Sequence, residues 1–252
     1  MLDLNMKQQL RSLLAQVPGS VQLQMTLDAR EESRLLQELA DDLASLSGKI
    51  SLVQNSPAAK RTPTLEVRSA ERNSSISFAG LPTGHEFTSL VLALLHTGGH
   101  PMKLEPEIQA QIRNLPGDYN FEVYVSLSCQ TCPDVVQALN MMAAINPRVR
   151  TVMIDGALFQ NEIAAHNIMA VPSVFMNGKQ FSQGRVGITD ILRKLDRNAD
   201  NRSAAVLNQK EPFDVLIVGG GPSGASAAIY AARKGLRTGI VADNFGGQVL
   251  DT

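Results

Sequence analysis

Cysteine is scarce in this chain: its 252 residues carry two, Cys129 and Cys132, both within the run SLSCQTCP. Without an export signal, so close a pair belongs to a reducing cytoplasm, where it is more often catalytic or metal-binding than structural. Long apolar runs are missing too. The longest, LVLALL at Leu90 to Leu95, falls far short of the ~20 residues of a membrane-spanning helix. Nor is there an excess of one charge: 23 Lys and Arg stand against 24 Asp and Glu. No overall field would hold the chain to nucleic acid or to an anionic membrane, so partners must be recognised locally. The N-terminal MLDLNMKQQLRSLLAQV has neither the apolar core nor the small-residue cleavage site of a signal peptide. It places Met6, Leu10, Leu13, Leu14 and Val17 on one stripe, which predicts a docking helix.

From Phe121 the pattern reads strand (FEVYVSL), Cys-x-x-Cys-Pro turn, helix with Val135, Val136, Leu139, Met142 and Ala143 on one face, and strand (VRTVMID). A short helix (LFQNEIAAHN), two strands (SVFMNG and KQFSQG) and a helix (ITDILRKL) follow. This βαβαββα order, with a redox-type motif at its first strand-to-helix turn, resembles a thioredoxin fold. Sliding the chain against itself by 100 residues lays VQLQMTLDAREESRLLQELADDLA, from Val21, over FEVYVSLSCQTCPDVVQALNMMAA, from Phe121. Further on, RTPTLEV around Pro63 answers AVPSVFM around Pro172, and GHEFTSLVLALL answers GRVGITDILRKL. Two fused thioredoxin-like units are therefore expected, over 1–112 and 113–196. The first has Ala29 and Glu32 where the second has its cysteines, and so serves as a scaffold. Residues 197–212 read as a polar linker with about one helical turn, and 213–252 as a different, apolar βαβ segment. The fold class is thus α/β: two thioredoxin-like units and a partial Rossmann-like segment.

A Cys-x-x-Cys at a helix N-terminus works because unpaired backbone N–H groups and the helix dipole favour a thiolate on the first sulfur. Cys129 is then the attacking thiol, and Cys132, one turn on, resolves the mixed disulfide. Ser128 or Thr131 can donate to sulfur. With neither His nor Pro between the cysteines, a reducing pair is expected. Two other readings stand beside it. A zinc site would need two of His85, His96, His100 and His166 as further ligands, and a structural disulfide across so short a loop would constrain little of the unfolded chain. The thioredoxin resemblance implies a cis-proline beside the dithiol, at Val171-Pro172. It also implies a buried acid six residues before the first cysteine, but that position is Val123. Glu86 is the candidate substitute, a general base for Cys132 if the two units pack face to face. Its position at the start of a helix equally suits an exposed first-turn acid.

The second motif, Gly219-Gly220-Gly221-Pro222-Ser223-Gly224, follows the strand FDVLIV and opens a helix, with Asp243 nineteen residues beyond Gly224 at the end of the next strand. The glycines allow a tight turn and close approach of a pyrophosphate to the helix N-terminus, and the acid suits a ribose hydroxyl. The bland alternative is an ordinary βαβ turn.

Together, SLSCQTCPDVVQALN, VPSVFMNGKQFSQGR, GHEFTSLVLALL and VLIVGGGPSGASAAIYAARKG…FGGQVLDT resemble the flavoprotein subunits of bacterial alkyl hydroperoxide reductase, the peroxiredoxin reductases. The resemblance covers the whole chain. It implies a disulfide oxidoreductase whose N-terminal dithiol takes electrons from a flavin-proximal dithiol and passes them to a peroxiredoxin. It further implies FAD held with the help of Asp214, Gly247 and Gln248, NAD(P)H as the source of electrons, no metal, and a homodimer of the complete protein. The sequence departs from that family by stopping within the FAD domain, so neither NADH oxidation nor stable FAD binding by this chain alone is expected. Two alternatives remain: a stand-alone glutaredoxin-like reductase acting on glutathione, and a non-catalytic docking platform.

Overall fold

The computed structural model describes residues 2–54, 60–69, 71, 73–195, 211–242 and 245–246. The chain divides into an N-terminal body, Met1–Asp196, and a C-terminal body, Arg197–Thr252.

The N-terminal body opens with α1 (Leu4–Leu14), capped by the Asp3 carboxylate on the Met6 N–H. Strand β1 (Val21–Thr26) alternates, sending Val21, Leu23 and Met25 inward. Helix α2 (Glu31–Leu46) begins with two acids that suit its N-terminal dipole and buries Leu36, Leu39, Ala40, Leu43 and Leu46 at helical spacing. Strands β2 (Ile50–Gln54), β3 (Thr64–Ser69) and β4 (Ser74–Ala79) follow, then a single 3-10 turn (Gly84–Glu86) leading into α3 (Phe87–Thr97). Helix α4 (Pro106–Arg113) connects to the second repeat: β5 (Tyr119–Val125), α5 (Cys132–Ile145), β6 (Val149–Asp155), α6 (Gln160–Ala165), β7 (Ser173–Met176), β8 (Lys179–Gln183) and α7 (Ile188–Leu195).

The repeats do not pack face to face, as their fusion led us to expect. They join edge to edge. β4 of the first pairs in parallel with β6 of the second, Ile76 opposite Thr151 through Ala79 opposite Ile154. One eight-stranded sheet results, in the order β2-β1-β3-β4-β6-β5-β7-β8. Both strands are buried on the side where α3 and α5 pack, so pairing their edges satisfies backbone groups while extending one core across both repeats. Cys132, Leu139 and Met142 of α5 share that core with Leu90 and Leu94 of α3. A smaller cluster of Ala79, Tyr124, Ile154 and Phe175 lies apart from it, with Phe159 and Ile163 against it.

The N-terminal stripe is narrower than its sequence implied. Leu10, Leu14 and Val17 are buried, whereas Met6 and Leu13 remain 37% and 40% exposed. Only the Leu10–Leu14 ridge is covered, because α1 lies against α2 along a single i, i+4 line. Salt bridging of Lys7 to Asp42 at 2.6 Å fixes this docking.

In the C-terminal body β9 (Val215–Val218) and β10 (Thr238–Val241) pair in parallel across α8 (Pro222–Arg233). None of the side chains in these three elements is fully buried. The helical turn expected in the linker falls outside the described residues.

Candidate active site

β5 is an interior strand of the sheet, and its C-terminal end delivers the dithiol loop. The Ser126 carbonyl accepts the Cys129 N–H at 2.9 Å, closing a turn from which α5 starts at Cys132 with Pro133 behind it. Proline suits the first turn of a helix, where its missing N–H is not needed. Cys129 and Cys132 are joined as a disulfide, Cα to Cα 5.5 Å. Cys129 is half-buried and Cys132 fully buried. The Cys132 N–H donates to the Cys129 sulfur at 3.2 Å, so this sulfur sits at the positive end of α5. Of the two expected hydroxyls, Thr131 lies 3.6 Å from the Cys129 sulfur, while Ser128 pairs with Ser126 at 3.0 Å.

The Val171-Pro172 bond is cis, and the Pro172 carbonyl accepts from Gly184 at 2.8 Å. Thr62-Pro63 in the first repeat is also cis, with the matching bond from Gly80 to the Pro63 carbonyl at 3.0 Å. Here the repeats diverge. In the first, the Arg30 guanidinium donates to the Thr62 carbonyl just before the cis-proline, and Asp28 holds it at 2.7 Å.

Glu86 is not an exposed first-turn acid. It is fully buried, and neither carboxyl oxygen has a hydrogen-bond partner among the described residues. Burial pushes its pKa up from 4.5 to about 7, with a smaller opposing influence from the Ser89 hydroxyl. The 3-10 turn carrying it lies against the dithiol loop: His85 N–H donates to the Leu127 carbonyl at 3.2 Å. Gly84 permits this approach. Its φ is +58°, and a Cβ there would stand 2.6 Å from the same carbonyl. Farther along, Gln137 of α5 donates to Ser89 of α3 at 3.3 Å. Two hydrogen bonds and a glycine thus fasten the start of α3 to the loop and helix bearing the cysteines.

Sequence reasoning missed other polar groups around the dithiol strand. Asp155, paired with Val125 in the β5–β6 register, is buried and has a raised pKa because burial outweighs the bonds it accepts from the Ala157 and Leu158 backbone. Arg61, also buried, donates to Glu122 of β5 and to Glu162 of α6, each at 2.7 Å. Tyr124 adds a 2.8 Å bond to Glu162. An acid ending the VMID strand was a readable signal for Asp155, whereas nothing local marks Arg61.

In the C-terminal body, Gly219 has φ +119°, and a Cβ on Gly224 would collide with the Gly219 carbonyl. Around Gly221 a Cβ would meet nothing within 4 Å, so the N-terminus of α8 is open for a large anion to approach. These features fit a dinucleotide pyrophosphate at Gly219, Gly220, Gly221, Pro222, Ser223 and Gly224. The Asp214 carboxylate is engaged by the Arg237 N–H at 2.7 Å. Asp243, Gly247 and Gln248 lie outside the described residues.

A disulfide at the N-terminus of a helix that follows an interior strand, with a cis-proline in the same repeat, defines a thioredoxin-fold disulfide oxidoreductase. The thioredoxin domain family matches residues 119–197, and the FAD dependent oxidoreductase family matches 214–249. The alkyl hydroperoxide reductase protein AhpF of Pseudomonas putida is 55% identical over 252 residues, 100% of this chain and 48% of that protein. A Bacillus subtilis (strain 168) protein named NADH dehydrogenase is 48% identical over 251 residues, again 100% of this chain and 48% of its own length. The crystal structure of the NTD_N/C domain of alkylhydroperoxide reductase AhpF from Enterococcus faecalis (V583) superimposes with a TM-score of 0.71 at 34% identity, covering 77% of this chain and 100% of that one. The chain belongs to the AhpF family of alkyl hydroperoxide reductase proteins. It spans about half the length, 48%, of the curated relatives it matches.

Proposed function

We propose that this chain carries the electron-delivering dithiol of an alkyl hydroperoxide reductase, reducing the disulfide of a peroxiredoxin in the cytoplasm. The observation that carries the reading is the placement of the Cys129–Cys132 disulfide, with the first sulfur at the helix N-terminus and the second buried behind it. In the reduced state the Cys129 thiolate attacks one sulfur of the partner disulfide. That S–S bond breaks, a mixed disulfide forms, and the partner's other sulfur leaves as a thiolate. Cys132 then gives up its proton, attacks the Cys129 sulfur, and releases the second partner thiolate. Two electrons pass to the partner and the Cys129–Cys132 disulfide is restored.

Burial of Cys132 disfavours its thiolate, so an acceptor for its proton accelerates resolution. Glu86 is that acceptor in this reading, supported by its burial, its raised pKa and the anchoring of its turn on Leu127. Val171 and Pro172 line the approach to the dithiol. Residues Gly219 to Gly224 would hold the pyrophosphate of FAD, with Asp214, Asp243, Gly247 and Gln248 as its further contacts. FAD, when bound, supplies electron transfer from NAD(P)H to a flavin-proximal dithiol, and the Bacillus relative's name fits NADH as the donor.

The test is a pair of substitutions in the reduced chain, mixed with an oxidised peroxiredoxin. Cys129→Ser should abolish transfer, and Cys132→Ser should trap a mixed disulfide visible on a non-reducing gel. Full transfer by both single variants would sink the reading.

A further inference from the structure

The buried carboxyl of Glu86 sits one helical turn before Ser89, and i, i+3 side chains are neighbours on a helix surface. Ser89 is itself fully buried. Its oxygen already accepts a hydrogen bond from the Gln137 amide at 3.3 Å. One lone pair is therefore occupied from the α5 side, while the hydroxyl hydrogen has no other acceptor among the described residues. Glu86 presents the complement: two buried carboxyl oxygens with no donor among those residues. A neutral carboxylic acid tolerates that arrangement, but an ionised one needs a donor at once, because an unsatisfied buried charge is costly.

We propose that Ser89, held by Gln137, is the positioning residue for the Glu86 carboxylate, its hydroxyl turning to donate to Glu86 when the acid ionises. This rests on the reading of Glu86 as proton acceptor for Cys132. The chain Gln137 amide → Ser89 hydroxyl → Glu86 carboxylate would join the helix bearing Cys132 to the turn bearing the base. Since Gln137 polarises the hydroxyl it binds, the second bond is strengthened by the first. A carboxylate stabilised this way is ready to receive a proton at neutral pH without opening the site to water.

No other charge among the described residues competes for the acid. On its own turn His85 is exposed, and His96 lies at the far end of α3. From α5, Asp134 is exposed and pairs with Arg185 at 2.7 Å, leaving Cys132 as the reacting group. From α1, Lys7 pairs with Asp42 and Arg11 is exposed. Glu66 and Arg68 of β3 pair on the opposite face of the sheet, and β4 carries no charged residue. Burial and the Ser89 hydroxyl are accordingly the influences acting on Glu86.

The experiment follows the Glu86 carboxyl carbon by NMR in the full oxidised chain labelled with 13C-glutamate, so that no thiol titrates. Glu86→Gln should delete one resonance whose midpoint lies near pH 7. Ser89→Ala should move that midpoint up by about one pH unit. Gln137→Met should move it the same way by less, and Ser89→Thr, which keeps the hydroxyl, should restore it. In the reduced chain, the pH–rate profile for reaction with a small aromatic disulfide should move with it. A midpoint unchanged or lowered in Ser89→Ala, with the Glu86 resonance still identified, overturns the role of Ser89 and leaves Glu86 standing. A carboxyl midpoint that moves without the rate profile overturns Glu86 as the base, and so does the absence of a resonance near pH 7 that Glu86→Gln removes.

Discussion

Two buried groups on one helix should set opposite slopes in the stability of the N-terminal body against pH. Burial raises Glu86 from 4.5 to about 7. An acid raised in this way binds its proton more tightly in the native state, so stability falls as pH climbs through the window between those values. At about 1.4 kcal/mol per unit the loss amounts to about 3 kcal/mol. His96 runs the other way. Burial, with the charge of His100 adding to it, lowers its pKa from 6.5 to about 4. The unfolded chain then binds the extra proton, and stability is gained between about pH 4 and 6.5, again by about 3 kcal/mol. In the parent the two largely cancel across the mildly acidic range. Glu86→Gln should uncover the rising limb: relative to the parent it gains about 3 kcal/mol between pH 4.5 and 8, whatever constant offset the amide introduces. His96→Gln should uncover the falling limb, and the double variant should be flatter than either. The chain has no tryptophan, so urea unfolding is best followed by far-UV circular dichroism, in the oxidised state and at a series of pH values. A Glu86→Gln curve parallel to the parent's would refute the buried, raised carboxyl.

Gly84→Ala places a Cβ 2.6 Å from the Leu127 carbonyl at a positive φ. It should destabilise the body by about 2–3 kcal/mol and speed alkylation of reduced Cys132 as the turn lifts away, whereas unfolding and alkylation like the parent's would count against the contact. Arg61→Ala strands Glu122 and Glu162, whose pKa values are held below the usual range with Arg61 as a partner. The loss should be about 2–3 kcal/mol at neutral pH, discounted because both carboxylates are partly solvated. It should shrink as pH falls below the ordinary 4.5 and the acids protonate; a loss independent of pH would point to packing instead. Thr131→Val removes the hydroxyl near the Cys129 sulfur and should slow alkylation of Cys129 at pH 7 about fivefold, the rate equivalent of about 1 kcal/mol. An unchanged rate would leave the thiolate to the helix terminus alone.

The dithiol, its helix and the repeat were legible because each is a local pattern: a strand, a two-cysteine turn, an apolar face at helical spacing, and the same order 100 residues earlier. The cis bond at Val171-Pro172 followed from the same frame, and its counterpart at Thr62-Pro63 lay within the repeat alignment without being drawn from it. The partnering of the repeats was not legible. Pairing of β4 with β6 joins residues about 75 apart, and nothing in either strand distinguishes an edge-on from a stacked arrangement. Glu86 looked as much like a dipole-favoured surface acid as a buried one, since the sequence near it does not reveal that the Leu127 loop would close over its turn. Arg61 was invisible for a similar reason. Its partners Glu122 and Glu162 come from the other repeat, and a charge in isolation reads as solvent-facing.

The sheet shared by the two repeats limits how far the protein can be divided. Cut away from its neighbour, the cysteine-bearing repeat would carry β6 as a bare edge, with Val149, Met153 and Ile154 along it, and would strip α5 of the helix packed against it. Such an edge is a template for the next molecule, and it invites strand addition between copies before it invites soluble monomers. The cysteine-free repeat is thus a permanent cap on that edge, closer in kind to a chaperone built into the chain than to a spent catalyst. Grafting the dithiol elsewhere would require carrying both repeats together or redesigning β6 with charge along its exposed side.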